Sequence, residues 1–407
     1  MRELAELRRG WRPLSAASIG LAFGYTLNNY VMNLMSPHLI AQFGWDRASF
    51  ALLGLVVILA IVCQPIAGRL ADRFGERSIA MIGVICAPLL YLLLSRQTGS
   101  FAQLATISAL QVVLVGGTTS VVVYTRLIAR AFAEARGLAL GIAASAPAMA
   151  GAAASPLIAL AIAQAGWRAT YVAIALAVGL FGALALALMP REPRAATGGK
   201  APAERPAPVA WRDLLGNRAF RLIIGGTLLC NLTITLQMSQ INLLLGDAGV
   251  AAPQAALMLS LYGAGIIVGR LLCGVALDRF PAHRIAALAM AAPAMGLLIL
   301  ASGTGSLPLL ALAIATLGLS LGAEGDIGAY LVMRYFPPAI YSTVVGLVIG
   351  SLAASGAIGT LLLSASLWGT GAFTAFLLLS AGCTLAGAGL FLGLRRCTPF
   401  AMPDAAP

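Results

Sequence analysis

Twelve stretches of this chain are apolar for long enough to cross a bilayer, and they come as six, a polar gap, and six. A span needs about 20 predominantly apolar residues. The runs lie near 14–36, 48–67, 78–95, 102–129, 137–163 and 168–189, then near 220–245, 254–275, 284–303, 307–332, 342–367 and 372–394. Between the sets, residues 189–221 are rich in Pro, Ala and Arg, have no apolar period, and read as a polar linker. The pattern predicts an all-α integral membrane fold of two pseudo-symmetric six-helix bundles, over 1–189 and 219–407, joined by a linker over 190–218.

Charge supports this reading. Only 10% of the 407 residues are charged, against about 25% in soluble proteins, so most of the surface cannot face water. The net charge of +12 raises the question of nucleic acid. The arginines, however, sit in short connections between apolar runs, and no nucleic-acid partner is expected. With the N-terminus inside, the inner connections hold Arg2, Arg8, Arg9, Arg12, Arg69, Arg73, Arg77, Arg130, Arg136, the linker cations, Arg279, Arg284, Arg395 and Arg396; the outer ones hold Arg47, Arg96 and Arg168. That asymmetry predicts cytoplasmic termini and linker in an inner-membrane protein. The first apolar run is too long for a signal peptide and no small-residue cleavage site ends it, so an uncleaved start is expected. Five of the six cysteines lie inside apolar runs and read as small core hydrophobes. His38 and His283, the only histidines, are too few for a metal site, and no cofactor is expected.

The two halves share a charged turn. "IAGRLADRFGERS" (66–78) nearly recurs as "LCGVALDRFPAHR" (272–284), so that Gly68, Asp72, Arg73 and Phe74 reappear as Gly274, Asp278, Arg279 and Phe280. Each copy falls between the second and third spans of its half. A second match aligns "RLIARAF" (126–132) with "YLVMRYF" (330–336). A duplicated six-helix unit can rock around a midplane site. A latch is what the turn suggests, with Gly68, Asp72, Arg73, Gly75, Arg77, Asp278 and Arg279 holding one side shut in one state; Asp72 can accept from a helix N-terminus, while Arg73 and Arg77 can reach carboxylates or carbonyls.

The first turn, "GRLADRFGER", resembles the loop signature of the major facilitator superfamily at Gly68, Leu70, Ala71, Asp72, Arg73, Gly75 and Arg77, and Pro281 replaces the second glycine in the other copy. The resemblance covers the whole chain. It implies a secondary transporter working by alternating access, with spans one, four, seven and ten lining the cavity. A narrower likeness comes from "FGWDRASF" (43–50), "RGLALGIAASAPAMAG" (136–151) and Arg270 in the pattern R-x-x-x-G-x-x-x-D. These resemble the monocarboxylate and oxalate/formate porter branch, in which an arginine on the eighth span binds the substrate carboxylate. Oxalate-type members add a lysine on the eleventh span; here residues 341–367 carry no charge, which argues against a dicarboxylate exchanger.

An ionisable group inside a span costs roughly 2.5–3.5 kcal/mol on insertion scales, so each needs a partner or a task. Arg270 lies mid-run on span eight, and Glu324 and Asp326 lie on span ten in "LGAEGDIGAYL". Two readings of Arg270 stand: a structural ion pair with one of these acids, or a fork that grips a carboxylate. The two are compatible as states of one cycle. Acids two residues apart point to different helix faces, so one is expected toward Arg270 or the cavity and the other toward a packed neighbour; either is a candidate proton carrier. Arg126 and Arg130 read as structural. Uncharged polar groups gather on the cavity-lining spans: Tyr25, Asn28, Asn29 and Asn33 on span one, Tyr124 on span four, and Gln237 and Gln240 on span seven. Gln64 occupies the repeat position of Arg270 on span two. All are candidate substrate contacts. Glycine pairs four apart, among them Gly265/Gly269, Gly318/Gly322 and Gly346/Gly350, read as close-packing faces.

No H-E-x-x-H or phosphate-loop pattern is present, so an enzyme is not expected. The rival is a proton-driven multidrug or metabolite exporter of the same fold. Exporters of cations favour an embedded acid in the first half, and spans one to six hold none. The expectation is therefore a monomeric transporter in the lipid bilayer, moving a small organic anion, a monocarboxylate, together with protons.

Overall fold

A computed structural model describes residues 2–120, 123–124, 127–128, 131–132, 135–190, 211–398 and 400. Among these residues every regular element is helical, and each of the twelve apolar runs contains helix. Eight helices are long and apolar enough to cross a membrane. One of them, Leu138–Leu188, holds two expected spans. At about 1.5 Å per residue it would run roughly 76 Å if straight, more than twice a hydrocarbon core of about 30 Å. Gly166 breaks it with φ 78 and ψ 163, a backbone region that is essentially glycine's own.

The eight helices thus supply spans two, three, five, six and eight to twelve. Spans one, four and seven are the interrupted ones. Span one is Trp11–Ala22 and Leu27–Phe43 with a break between them; span four passes from Phe101–Leu110 into a π-helical stretch, Gln111–Gly116; span seven is Arg218–Cys230, a π-helical Leu236–Gln240, and Ile241–Asp247. Lipid offers no partner to backbone groups freed by a break, so the protein must supply them. Thr119 Oγ1 accepts from Tyr25 N at 3.1 Å, and Asn231 Nδ2 donates to Thr227 O at 2.8 Å. Gly359 of span eleven sits so close to the Leu232 carbonyl that a Cβ would collide with it.

The contacts divide the chain into two compact units, Met1–Arg194 with Gln237–Gly263, and Ala195–Leu236 with Ala264–Pro407. In the first, Ala16, Leu21, Ile79, Tyr124 and Ala139 share a buried core; in the second, Ile223, Leu277, Met290, Leu331 and Val348 do. Large apolar side chains also point outward, including Leu288 at 73% exposure, Leu176 at 70% and Trp368 at 84%. Faces of that composition suit hydrocarbon and not water. The six cysteines stand singly.

At the first charged turn, Gly75 joins Leu59–Phe74 to Glu76–Ser95 with φ 85 and ψ 149, so the glycine of this motif meets a steric demand. The second copy turns differently: Pro281, at φ −58 and ψ 121, precedes Ala282–Ala301.

The polar connections carry ordinary caps. Asp46 begins Arg47–Ala51 by accepting from Ser49 N at 2.9 Å, and this bond holds its carboxyl below the usual value. Asp46→Ala is expected to cost about 1 kcal/mol. Because the folded-state value is depressed, the contribution of Asp46 is present above the unfolded carboxyl range and is lost as pH falls through the folded value. Acid titration of melting temperature should show that loss in the parent and not in Asp46→Ala; equal acid sensitivity would refute the assignment.

Candidate functional site

The charged site lies in the second unit, where spans eight (Ala252–Arg279) and ten (Leu307–Tyr335) cross at backbone contact. A Cβ on Gly269 would strike the Leu319 carbonyl, one on Gly322 would strike the Ile266 carbonyl, and one on Gly265 would lie 2.7 Å from Ala315 O. The Gly265/Gly269 and Gly318/Gly322 pairs are therefore one interlocked crossing. It places the backbone of Arg270 against Gly322, and one turn further along span ten stands Asp326. Arg270 Nε and Asp326 Oδ2 are 4.0 Å apart, with side-chain exposures of 23% and 42%. The pair is therefore not sealed inside packed side chains.

Glu324 belongs to different surroundings. It lines a cavity of about 210 Å³ inside the second unit, with Thr227 and Asn231 of span seven and Val345, Val348 and Leu352 of span eleven (Pro338–Thr370). Among the described residues, no arginine, lysine or histidine lines it. The two acids thus separate as their spacing requires, and Asp326 is the one beside Arg270.

The polar residues of span one lie in the first unit. Tyr91 OH donates to Asn28 Oδ1 at 3.4 Å, and both border a small cavity with Tyr25 and Gln111. Asn29 is half-buried. Asn33 is buried and its carboxamide is committed to backbone: Nδ2 donates to Asn29 O and Gln237 O, both at 2.9 Å, and Oδ1 accepts from Ile241 N at 2.8 Å. Ser36 Oγ donates to Ser239 O at 3.0 Å, and Gln237 Oε1 accepts from Tyr262 OH at 2.9 Å. Gln240 is buried, and neither of its side-chain polar atoms has a hydrogen-bond partner among the described residues. Tyr124 is fully buried against Gly20, and Gln64 is half-buried.

At the charged turns, the side chains of Asp72 and Asp278 lie outside the described residues, as do Arg126 and Arg130. Gly68 is buried and Arg279 exposed. Arg73 stacks on Phe74 at 5.2 Å, and Arg77 Nη1 donates to the Met189 carbonyl at 2.6 Å. That carbonyl follows the last turn of span six, where a cation complements the helix dipole.

Sequence reasoning missed one feature: Arg47 grips both carboxylate oxygens of Asp247, at 2.7 and 2.6 Å. Two hundred positions separate the partners, and nothing in the sequence around Asp247 points back to Arg47.

The sequence model of the Major Facilitator Superfamily matches residues 17–360. Human monocarboxylate transporter 11 is 28% identical over 427 residues, covering 97% of this chain and 84% of that protein. Among solved structures, the nucleoside transporter NupG in a D323A form aligns with TM-score 0.75 at 14% identity, over 94% of this chain and 99% of that one. A D-xylose–proton symporter gives 0.71 at 15%, over 95% and 97%. A bacterial homolog of the human lysosomal transporter Spinster, inward-facing and unoccupied, gives 0.66 at 18%, over 95% of each chain. At these identities the structures speak for the fold.

Proposed function

The chain belongs to the major facilitator superfamily, and on that premise we propose that it moves a small organic anion, a monocarboxylate, across the inner membrane by alternating access, coupled to protons. The observation that carries this reading is Arg270, a guanidinium within a span, resting 4.0 Å from Asp326 in a partly exposed crossing. A carboxylate that displaces Asp326 meets a planar fork matched to its own geometry. Asp326 is then left without its cation, which favours a change of state. The resemblance of the sequence to a monocarboxylate transporter points the same way.

In this reading Arg270 is the substrate clamp, and Tyr25, Asn28, Asn29, Gln64 and Gln240 are the further polar contacts. Asn33 and Gln237 fasten helices, and Tyr124 packs. Of Glu324 and Asp326, one carries the coupled proton. The bundles are 1–189 and 219–407 with a linker over 190–218, the termini face the cytoplasm, and the protein works as a monomer. The test is thermal stabilisation of purified protein by carboxylates, by their amides and by organic cations. Only the acids should raise the melting temperature; amides or cations acting as strongly would sink the anion reading. A second reading, a proton-driven exporter, is favoured by one observation: the Glu324 cavity is apolar and, among the described residues, no cation lines it. Stabilisation by organic cations that is lost in Glu324→Gln would establish it.

The turn at 68–77 is the latch of this cycle. Arg77→Ala removes the bond to the Met189 carbonyl, and Asp72→Asn alters the charge beside it in sequence. Each should slow turnover several-fold while leaving substrate affinity within about twofold. A large rise in dissociation constant at unchanged turnover would show that the turn acts on binding.

A further inference from the structure

We propose that the two acids of span ten have separate tasks: Asp326 is the resting partner of Arg270, and Glu324 is the proton-binding site, housed in its own cavity within the second unit. This rests on the transport reading for its consequence, though not for its test.

The argument is geometric. Residues 324 and 326 are about 200° apart around a helix of 3.6 residues per turn, and the structure gives them unlike neighbours. Asp326 looks to span eight, where Arg270 offsets its charge. Glu324 looks into the cavity shared with spans seven and eleven. The groups that face it there are the Asn231 amide and Thr227 of span seven, Val345, Val348 and Leu352 of span eleven, Met290 of span nine, and Phe391 of span twelve. Among the described residues Glu324 therefore faces no cation. An unpaired carboxylate in an apolar chamber is strongly disfavoured, whereas the protonated acid needs only a hydrogen-bond partner. Asn231 and Thr227 stand at the same wall.

Asn231 also sits at the break of span seven, where its amide holds the Thr227 carbonyl. The proton site thus shares a wall with an interrupted helix, the kind of element whose rearrangement alternating access uses. Glu324 accepts a proton when the chamber is wet, becoming a neutral carboxylic acid, and returns it when water next reaches the chamber from the other face. Arg270 and Asp326 take no part in that transfer. Their exchange with substrate sets which state the chamber is in.

The test is infrared difference spectroscopy of the purified full-length protein, titrated without substrate. The parent should show a carboxylic-acid C=O band that disappears on alkalinisation. Glu324→Gln should lose it, Glu324→Asp should retain it at a shifted position, and Asp326→Asn should leave it in place. In proteoliposomes, Glu324→Gln should lower gradient-driven uptake at least tenfold and leave exchange within about twofold. A band that survives Glu324→Gln, vanishes in Asp326→Asn, or is missing from the parent overturns the assignment. Because the spectra need no substrate, they stand even if carboxylates fail to stabilise the protein. Conversely, a missing band leaves the anion reading to its own stabilisation test.

Discussion

Arg270→Gln is expected to abolish the stabilisation of this protein by carboxylates. Losing the charged half of a desolvated, hydrogen-bonded pair costs about 2–5 kcal/mol, which at about 1.4 kcal/mol per decade is roughly 30-fold to several-thousand-fold in affinity. Arg270→Lys keeps the charge and loses the planar fork, so it should bind roughly tenfold more weakly than the parent. Arg270→Gln also strips Asp326 of the partner seen at 4.0 Å, and this alone lowers stability. The double variant Arg270→Gln/Asp326→Asn separates the effects: it should recover the melting temperature without recovering binding. Isothermal titration across a carboxylate series decides the matter. Parent-like affinity in Arg270→Gln would remove Arg270 from the substrate site.

The second large effect belongs to the helix crossing that positions Arg270. Gly269→Ala and Gly322→Ala each place a methyl group against backbone, the Leu319 and Ile266 carbonyls respectively. No rotamer change can move a carbonyl of a packed helix, so spans eight and ten must part. Overpacking of this kind costs about 1–3 kcal/mol or more, and here it also pulls Arg270 away from Asp326. Both variants should melt earlier and transport poorly. Gly346→Ala and Gly350→Ala meet nothing within 4 Å and should behave as the parent. Melting temperatures and uptake rates measured in parallel test the contrast; equal behaviour of the four variants would dismiss the interlock.

Comparing the two glycine pairs shows what the sequence discloses. Both pairs have the same four-residue spacing, yet Gly265/Gly269 meets a neighbouring backbone and Gly346/Gly350 meets open space. Spacing defines a face, and only tertiary packing says what covers it. The same limit applies to the spans. All twelve were legible because an apolar run of helical length has one structural outcome in lipid. The interruptions in spans one, four and seven were not, since a helix breaks at membrane depth only where a partner such as Thr119 Oγ1 waits across the fold. That Arg270 would have an acidic neighbour followed from the cost of a lone intramembrane charge. Which acid it would be depended on the rotation of span ten about its axis. Asn33 was conspicuous as a mid-span amide and a candidate substrate contact, but its use as a strap on the Gln237–Ile241 backbone rests on a segment 204 positions away.

That strap bears on how the protein is made. The first unit includes Gln237–Gly263, held by Asn33, Ser36 and the Arg47–Asp247 pair. A ribosome that has finished residue 194 has therefore not yet released everything the first unit needs. At about 5–20 residues per second, the missing stretch follows on the order of ten seconds later. During that interval Asn33 and Ser36 have only their own helix to bond, at the Asn29 and Asn33 carbonyls, with the places of Gln237, Ser239 and Ile241 vacant. Dividing the gene at the linker would make this vacancy lasting in the amino-terminal fragment. The two fragments should then be recoverable only when synthesised together, each completing the other in the same membrane.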